Sequence, residues 1–460
     1  MEAFDLVAIG GGSGGYTAAI RATQLGLTAA LIERDQVGGV CLHKGCIPTK
    51  VLLETAQNLS LVRKSGAFGI NVDNISLDYA VLRARRDRVV GALHKSLRSL
   101  IEKHKIEIIE GDARLLSPTE VEAGGRRIGA RHVVLATGSR PKALPGLEPD
   151  GERILTSDHC LELAEVPKSI AVIGAGSVGL EFVSFYLDVG AEVTVVEALP
   201  RLLPLEDGDL GRGIEKLLAA RGATVLTSAR VQAEATRVYD SVVELAVEQD
   251  GRQQTVRAER VLIATGRGGQ TDGMGLENTN VKVEKGYVQV DGSYRTAEPN
   301  IFAVGDVIGG LQLAHVAAAE GYLAAQAIAG KDVEPLDYDR VPRVTYTRPH
   351  VAAVGLTEEQ ARERGGSVKT QRFSFRNNAM ALIHDETDGF VKLVYDADSG
   401  DVMGVHILGH QGGELIAEAA FARFLNASVW EMGTNVHPHP SLSEVVGEAA
   451  QLSAGISIYW

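Results

Sequence analysis

The 460-residue chain is long enough for several hydrophobic cores, and its 45% hydrophobic content is that of globular protein. A formal net charge of −13 argues against general nucleic-acid binding, which needs a basic surface, and suits a basic protein partner. Three cysteines make no disulfide scaffold, no stretch approaches the ~18 unbroken apolar residues of a membrane span, and the N-terminus has no basic region or small-residue cleavage site, so a cytoplasmic protein off the membrane is expected.

Leu6 to Ile9 reads as a buried strand. Gly10, Gly12 and Gly15 follow in G-x-G-x-x-G spacing, then a helix from about Tyr16 to Leu25 and a strand from Thr28 to Ile32 that ends at Glu33. In that order the glycines allow a tight turn and close approach of a pyrophosphate to a helix N-terminus, and the acid accepts a ribose hydroxyl.

Residues 38 to 50 come next and hold Cys41 and Cys46, two of the three cysteines, with Pro48 just behind. Such a pair in a cysteine-poor chain points to redox or metal chemistry rather than to unrelated buried thiols. One regular helix through both would hold their Cα atoms about 8 Å apart, beyond disulfide reach. Cys41 is therefore expected in the preceding loop and Cys46 near a helix start, where proline is tolerated and the helix dipole favours a thiolate.

From Leu77 to Lys105 the pattern is helical and rich in arginine, read as a solvated outer helix rather than an anion-binding face. Val133 to Gly138, with Thr137 and Gly138 at its end, looks like a returning strand with a tight turn, and the turn-rich segment from Pro141 to Gly151 reads as a domain crossing. The first fingerprint then recurs. Ser169 to Ile173 leads into Gly174, Gly176 and Gly179, a helix to about Val189, and a strand from Ala191 to Val196 ending at Glu197. From first glycine to acid is 23 positions in both copies, 10 to 33 and 174 to 197. Val261 to Gly266 repeats the returning strand, so two dinucleotides are expected. Glu197 favours NAD, because a carboxylate repels a 2′-phosphate; Arg201 keeps NADP open.

Ile301 to Asp306 is an apolar strand that sets a carboxylate at its C-terminal end, where ligands of α/β sheets bind. Beyond Arg340 the pattern changes to strands at 351–354, 390–395 and 405–408 and helices at 414–425 and about 443–452, an α+β domain with no glycine fingerprint. It contains His439 five residues before Glu444. A carboxylate there can fix the imidazole tautomer and support its imidazolium, as an acid–base partner of a thiol requires. Cys160 reads as a small buried side chain.

Together the Gly39–Lys50 segment, the two glycine loops, the Gly305–Asp306 strand end and the residue 437–444 stretch resemble the flavin-dependent pyridine nucleotide-disulfide oxidoreductases, in family order and over essentially the whole chain. Residues 39–50, Leu313-Ala314-His315 and 437–444 are most similar to that family's dihydrolipoamide-oxidising branch. The resemblance implies an α/β chain with two Rossmann-like dinucleotide-binding domains plus a C-terminal α+β dimerisation domain. Its parts would be an FAD domain at 1–146, an NAD domain at 147–265, a central segment at 266–338 completing the FAD site, and an interface domain at 339–460. It implies FAD and NAD, no metal, a redox disulfide between Cys41 and Cys46, and His439 with Glu444 as the acid–base pair supplied across a homodimer. Asp306 would hold the ribitol of FAD; Ala314, His315, Thr137, Gly138 and Gly266 would line the cofactors; and Lys50 with Glu181 would pair near the flavin. The implied substrate is a dihydrolipoyl group, and the implied partner a basic subunit-binding module of a 2-oxoacid dehydrogenase complex. A cis peptide is expected between His439 and Pro440. Val40, Thr49 and Ser441 depart slightly from the family pattern, and Gly268 and Gly269 stand near an expected proline, which predicts a mobile loop there.

Two other functions remain open. One is an NAD(P)H-dependent reductase of another small disulfide such as glutathione, which would share every redox residue. The other is a non-enzymatic assembly role for the acidic surface. Mercuric ion reduction fits less well, since the C-terminal residues lack an extra cysteine pair.

Overall fold

The computed structural model describes residues 2–458. It divides into two compact units. One comprises Met1–Leu52, Ala80–Lys142 and Gly266–Leu336; the other comprises Leu53–Tyr79, Ala143–Thr265 and Asp337–Trp460.

In the first unit, continuous apolar runs make a buried parallel core, as β-α-β crossovers require. Strand Glu2–Ile9 lies between Ala29–Glu33 and Arg126–Leu135, parallel to both, and Glu107–Glu110 and Ile301–Ala303 extend the parallel sheet on either side. Leu6, Val7, Ala8, Leu31, Val133 and Val134 are fully buried. Each such valine or leucine contributes about 1.5–3 kcal/mol relative to exposure. The helix Ser13–Gln24 packs on Ala314–Ile328 through small residues, since a Cβ on Gly321 would lie 2.3 Å from the Gly14 carbonyl oxygen.

The second unit repeats the plan. Ser169–Ile173 sits between Glu192–Val196 and Arg260–Ile263, all parallel, with Thr224–Leu226 and Ile154–Leu155 at the edges. The registers correspond: Ile9 pairs with Ile32 and Leu135 in one sheet, and Ile173 with Val196 and Ile263 in the other. The same unit contains a five-stranded antiparallel sheet ordered Arg343–Thr345, His350–Gly355, Val402–Gly409, Phe390–Asp396, Val368–Ser374. Its core includes Ile416 and Ala419 of helix Gly412–Phe424 and Val445, Val446 and Ala449 of helix Glu444–Ala454. Among the described residues no helix is long and apolar enough to cross a membrane.

Two expectations need correction. Cys41 is not in a loop but in a short helix, Gly39–Lys44; the backbone breaks at Gly45 (φ −146°, ψ −108°) and restarts as helix Cys46–Arg63. That break, not an extended approach, brings the two Cα atoms to 4.7 Å. Gly268 and Gly269 do not form a mobile loop either. Arg267–Gly269 pairs antiparallel with Ser139–Pro141, and a Cβ on Gly269 would come within 2.6 Å of the Gly286 carbonyl oxygen, so glycine serves close packing here.

Candidate active site

Each glycine loop starts where a central strand ends. Gly10 and Gly174 both take left-handed backbone (φ 104° and 99°), and a Cβ on either would meet a carbonyl oxygen, of Ala136 at 2.3 Å and of Ala264 at 2.5 Å. Gly15 and Gly179 are barred from side chains by the Gly10 and Gly174 carbonyl oxygens, at 1.9 and 2.1 Å. Gly12 and Gly176 cap the following helices and have nothing within 4 Å of a would-be Cβ. The outer glycines thus lock the turn, and the middle one leaves open space over a helix N-terminus. That cradle fits a pyrophosphate in both units.

The acids complete both sites identically. Glu33 Oε2 accepts from Gly11 N at 2.7 Å and Oε1 from Asp35 N at 2.9 Å; Glu197 Oε2 accepts from Ala175 N at 2.7 Å and Oε1 from Leu199 N at 2.8 Å. Each oxygen keeps a lone pair for a ribose hydroxyl. Arg201 is occupied elsewhere: it pairs with Glu359 at 3.1 Å and donates to the carbonyls of Pro204 and Glu206.

The disulfide between Cys41 and Cys46 lies directly behind the first glycine loop. A Cβ on Gly39 would sit 2.8 Å from Gly12 Cα, so the Cys41 helix begins in contact with the loop itself. Both cysteines are half-buried, which suits exchange, and Pro48 stands in the first turn of the Cys46 helix. Lys50 is one turn beyond Cys46 on that helix.

In the same unit Asp306 follows strand Ile301–Ala303 and accepts from Ser139 Oγ at 2.5 Å, while Arg267 Nε donates to Ser139 Oγ at 2.7 Å. Thr137 Oγ1 donates to the Gln270 carbonyl at 2.7 Å, and Gly138 and Gly266 take left-handed turns (φ 72° and 115°). Ala314 opens the helix Ala314–Ile328, and His315 beside it is exposed. Buried Glu320, on that helix, accepts from Gly305 N at 2.6 Å. Ser139, Arg267, Gln270 and Glu320 were not legible as site residues because the segments that join them are remote in sequence; the buried acid beside Gly321 was the one local signal.

In the second unit Glu181, two residues past Gly179, is buried and accepts from Tyr346 N at 2.9 Å. Glu444 holds the histidine loop with both oxygens: Oε1 pairs with His439 Nδ1 at 2.8 Å, and Oε2 accepts from Ser441 N at 2.8 Å. The peptide between His439 and Pro440 is cis, as expected, and so is that between Arg348 and Pro349. His439 is 74% exposed. Cys160 lies apart from this chemistry, fully buried, its thiol pushed up to about 12 by burial and so inert.

Comparison with known proteins agrees with this geometry. The family model for pyridine nucleotide-disulphide oxidoreductase matches residues 4–321, and that for the family's dimerisation domain matches residues 341–450. The chain is 42% identical to a dihydrolipoyl dehydrogenase of Bacillus subtilis over 99% of both chains. It is 41% identical to one of Thermus scotoductus over 98% of this chain and 97% of the other. Among solved structures, LpdA from Mycobacterium tuberculosis superposes with a TM-score of 0.90 at 30% identity, covering 98% of this chain and 99% of that one. The HOCl-induced flavoprotein disulfide reductase RclA from Escherichia coli superposes at 0.87 with 27% identity, covering 98% and 100%. With the glycine loops, the disulfide and the dimerisation domain all in place, the chain belongs to the pyridine nucleotide-disulphide oxidoreductases.

Proposed function

We propose that this protein is a dihydrolipoyl dehydrogenase: it oxidises a dihydrolipoyl dithiol to the lipoyl disulfide with NAD as acceptor. The observation that carries the reading is the Cys41–Cys46 disulfide packed behind the first of two glycine loops, in a chain similar over nearly its whole length to dihydrolipoyl dehydrogenases. Gly10, Gly12, Gly15 and Glu33 hold FAD, with Asp306, Thr137, Gly138, Ala314 and His315 beside it. Gly174, Gly176, Gly179, Glu197 and Gly266 serve NAD. We keep the division into an FAD part (1–146 with 266–338), an NAD part (147–265) and an interface part (339–460) as part of this reading.

The reaction begins with a proton. Glu444 on Nδ1 leaves Nε2 of His439 as the accepting nitrogen, and it takes the proton of one substrate thiol. The thiolate attacks Cys41 Sγ, the S–S bond breaks, and Cys46 leaves as the thiolate. The second substrate thiol then displaces Cys41, which departs as a thiol while the lipoyl disulfide is released. FAD, when bound, would supply a two-electron relay between the cysteine pair and NAD. The net change is dithiol plus NAD⁺ to disulfide, NADH and a proton. Lys50, which the family resemblance pairs with Glu181, would favour the anionic states near the flavin.

His439 comes from the second subunit of a homodimer, and the dimerisation-domain match over residues 341–450 supports this. A cytoplasmic location, and docking of a basic module of a 2-oxoacid dehydrogenase complex on the acidic surface, complete the reading. The test compares two substrate pairs on the purified yellow protein: dihydrolipoamide with NAD, and oxidised glutathione with NADPH. Faster turnover of the first is expected; preference for the second would replace this reading with that of a glutathione-type reductase.

A further inference from the structure

The loop that carries His439 holds a second histidine–carboxylate pair. His437 Nε2 lies 2.9 Å from Glu418 Oε1, and Asn435 Nδ2 donates to that same oxygen at 3.3 Å. Unlike His439, the His437 side chain is only 9% exposed. Its ring is seated on Gly447, where a Cβ would come within 2.7 Å of two ring atoms. Gly447 is three residues past Glu444 on helix Glu444–Ala454, so the His437 ring packs one turn beyond the carboxylate that holds His439.

That turn is crowded with acid. Glu448 follows Glu444 at i+4, and its Oε2 is buried with no hydrogen-bond partner among the described residues. Burial, and then the neighbouring Glu444, push the Glu448 carboxyl up. The groups facing His437 are Glu418 from helix Gly412–Phe424 and Glu444 and Glu448 from helix Glu444–Ala454. The hydrogen bond to Glu418 pushes the His437 imidazole up, so the imidazole holds its proton more firmly than a solvated one would.

We propose that His437 and Glu418 form a positioning dyad for His439: the ring seats the helix turn behind Glu444 and cancels the Glu418 charge, so that one carboxylate fewer acts on His439. This rests on the reading of His439 as the base. Neither residue touches substrate; the dyad acts through Glu444 and the field around it.

The consequence has a sign. Removing the imidazole leaves Glu418 unpaired, and one more negative charge holds the His439 proton more tightly. One unit charge at this scale corresponds to on the order of half a pH unit. In full-length holoenzyme with labelled histidines, His437→Asn should raise by that amount the pH at which the His439 ring loses its proton, with His439→Gln identifying its signal. The acid limb of dihydrolipoamide turnover should move the same way. The double variant Glu418→Gln/His437→Asn removes both charges and should return the titration to its starting point. His437→Gln is a second single variant should the asparagine form not fold.

An unshifted titration in the single variant would overturn the proposal. So would a double variant displaced as far as the single one, since that is the behaviour of lost packing rather than lost charge balance. If wild-type protein fails to turn over dihydrolipoamide, the functional reading fails, while the ring titration still decides the dyad on its own.

Discussion

The two glycine loops are nearly alike in backbone and unlike in the segments hung behind them. Both place a locked glycine at the strand end, an open one at the helix cap and an acid whose oxygens each take one amide. Both are closed from behind by a later residue: Gly38 N donates to Gly11 O at 2.8 Å, and Leu203 N to Ala175 O at 3.0 Å. In the first the chain then turns into the Cys41 helix, packed so tightly that Gly39 rests on Gly12. In the second it runs through Arg201 into an ion-paired segment that ends at Asp207. On the proposed reading the shared frame holds a dinucleotide in each unit, and the segment behind the first adds the redox pair.

The comparison breaks first at the cysteines. Cys46→Ser should lower dihydrolipoamide turnover by more than about three orders of magnitude, as removal of a covalently reacting side chain does elsewhere, while reduction of an artificial acceptor by NADH survives because it bypasses the disulfide. Retained turnover would remove the disulfide from the mechanism. Next come the open glycines. Gly12→Val should yield colourless protein, whereas Gly176→Val should stay yellow and raise KM for NAD at least about tenfold, a loss of roughly 1.4 kcal/mol. Colour lost from both, or from neither, would dissolve the assignment of one loop to each cofactor.

A third test concerns the second loop's ion-paired continuation. Buried Lys392, 2% exposed, holds Asp207 at 2.9 Å, Asp209 at 2.8 Å and Glu358 at 2.7 Å. Removing one partner of such a cluster leaves uncompensated buried charge, so Lys392→Met should cost about 3–5 kcal/mol and lower the melting midpoint. Burial raises the Asp207 carboxyl, but His406, the Glu358 amide and Lys392 together bring it below the ordinary range. The Lys392 and Arg362 hydrogen bonds lower Glu358. The stability from these depressed carboxyls is present above their unfolded pKa of about 4 and lost as pH falls through the folded values. The acid slope of the melting midpoint should therefore be shallower in Lys392→Met than in the wild type.

Much of this was legible because the informative signals are local. A glycine spacing, an acid at the next strand end and a histidine five residues before a glutamate lie within single segments, and the structure keeps each of them. What escaped the sequence is assembled from afar. Ser139, Arg267 and Asp306 meet because a two-stranded ladder brings residue 139 beside residue 269. The Cys41 error has a different cause: the spacing of about 8 Å rules out one continuous helix and so points to a loop, whereas one unusual φ, ψ pair at Gly45 lets two helices flank a disulfide that neither alone could hold.

Arg201 gives the finest comparison, and the smallest expected effect. By position it is the cation that could receive a 2′-phosphate beside Glu197. In the structure the Arg201 guanidinium is spent on Glu359 and two backbone carbonyls. With side chains 31% and 49% exposed, that ion pair is worth about 0–1 kcal/mol, too little to fix the fold. Arg201→Ala should therefore change KM for NADH less than about twofold and leave the preference over NADPH intact, as the role proposed for Glu197 requires. If the variant instead loses residual NADPH use, the guanidinium swings to the phosphate, and the second loop is less strictly an NAD site than its acid indicates.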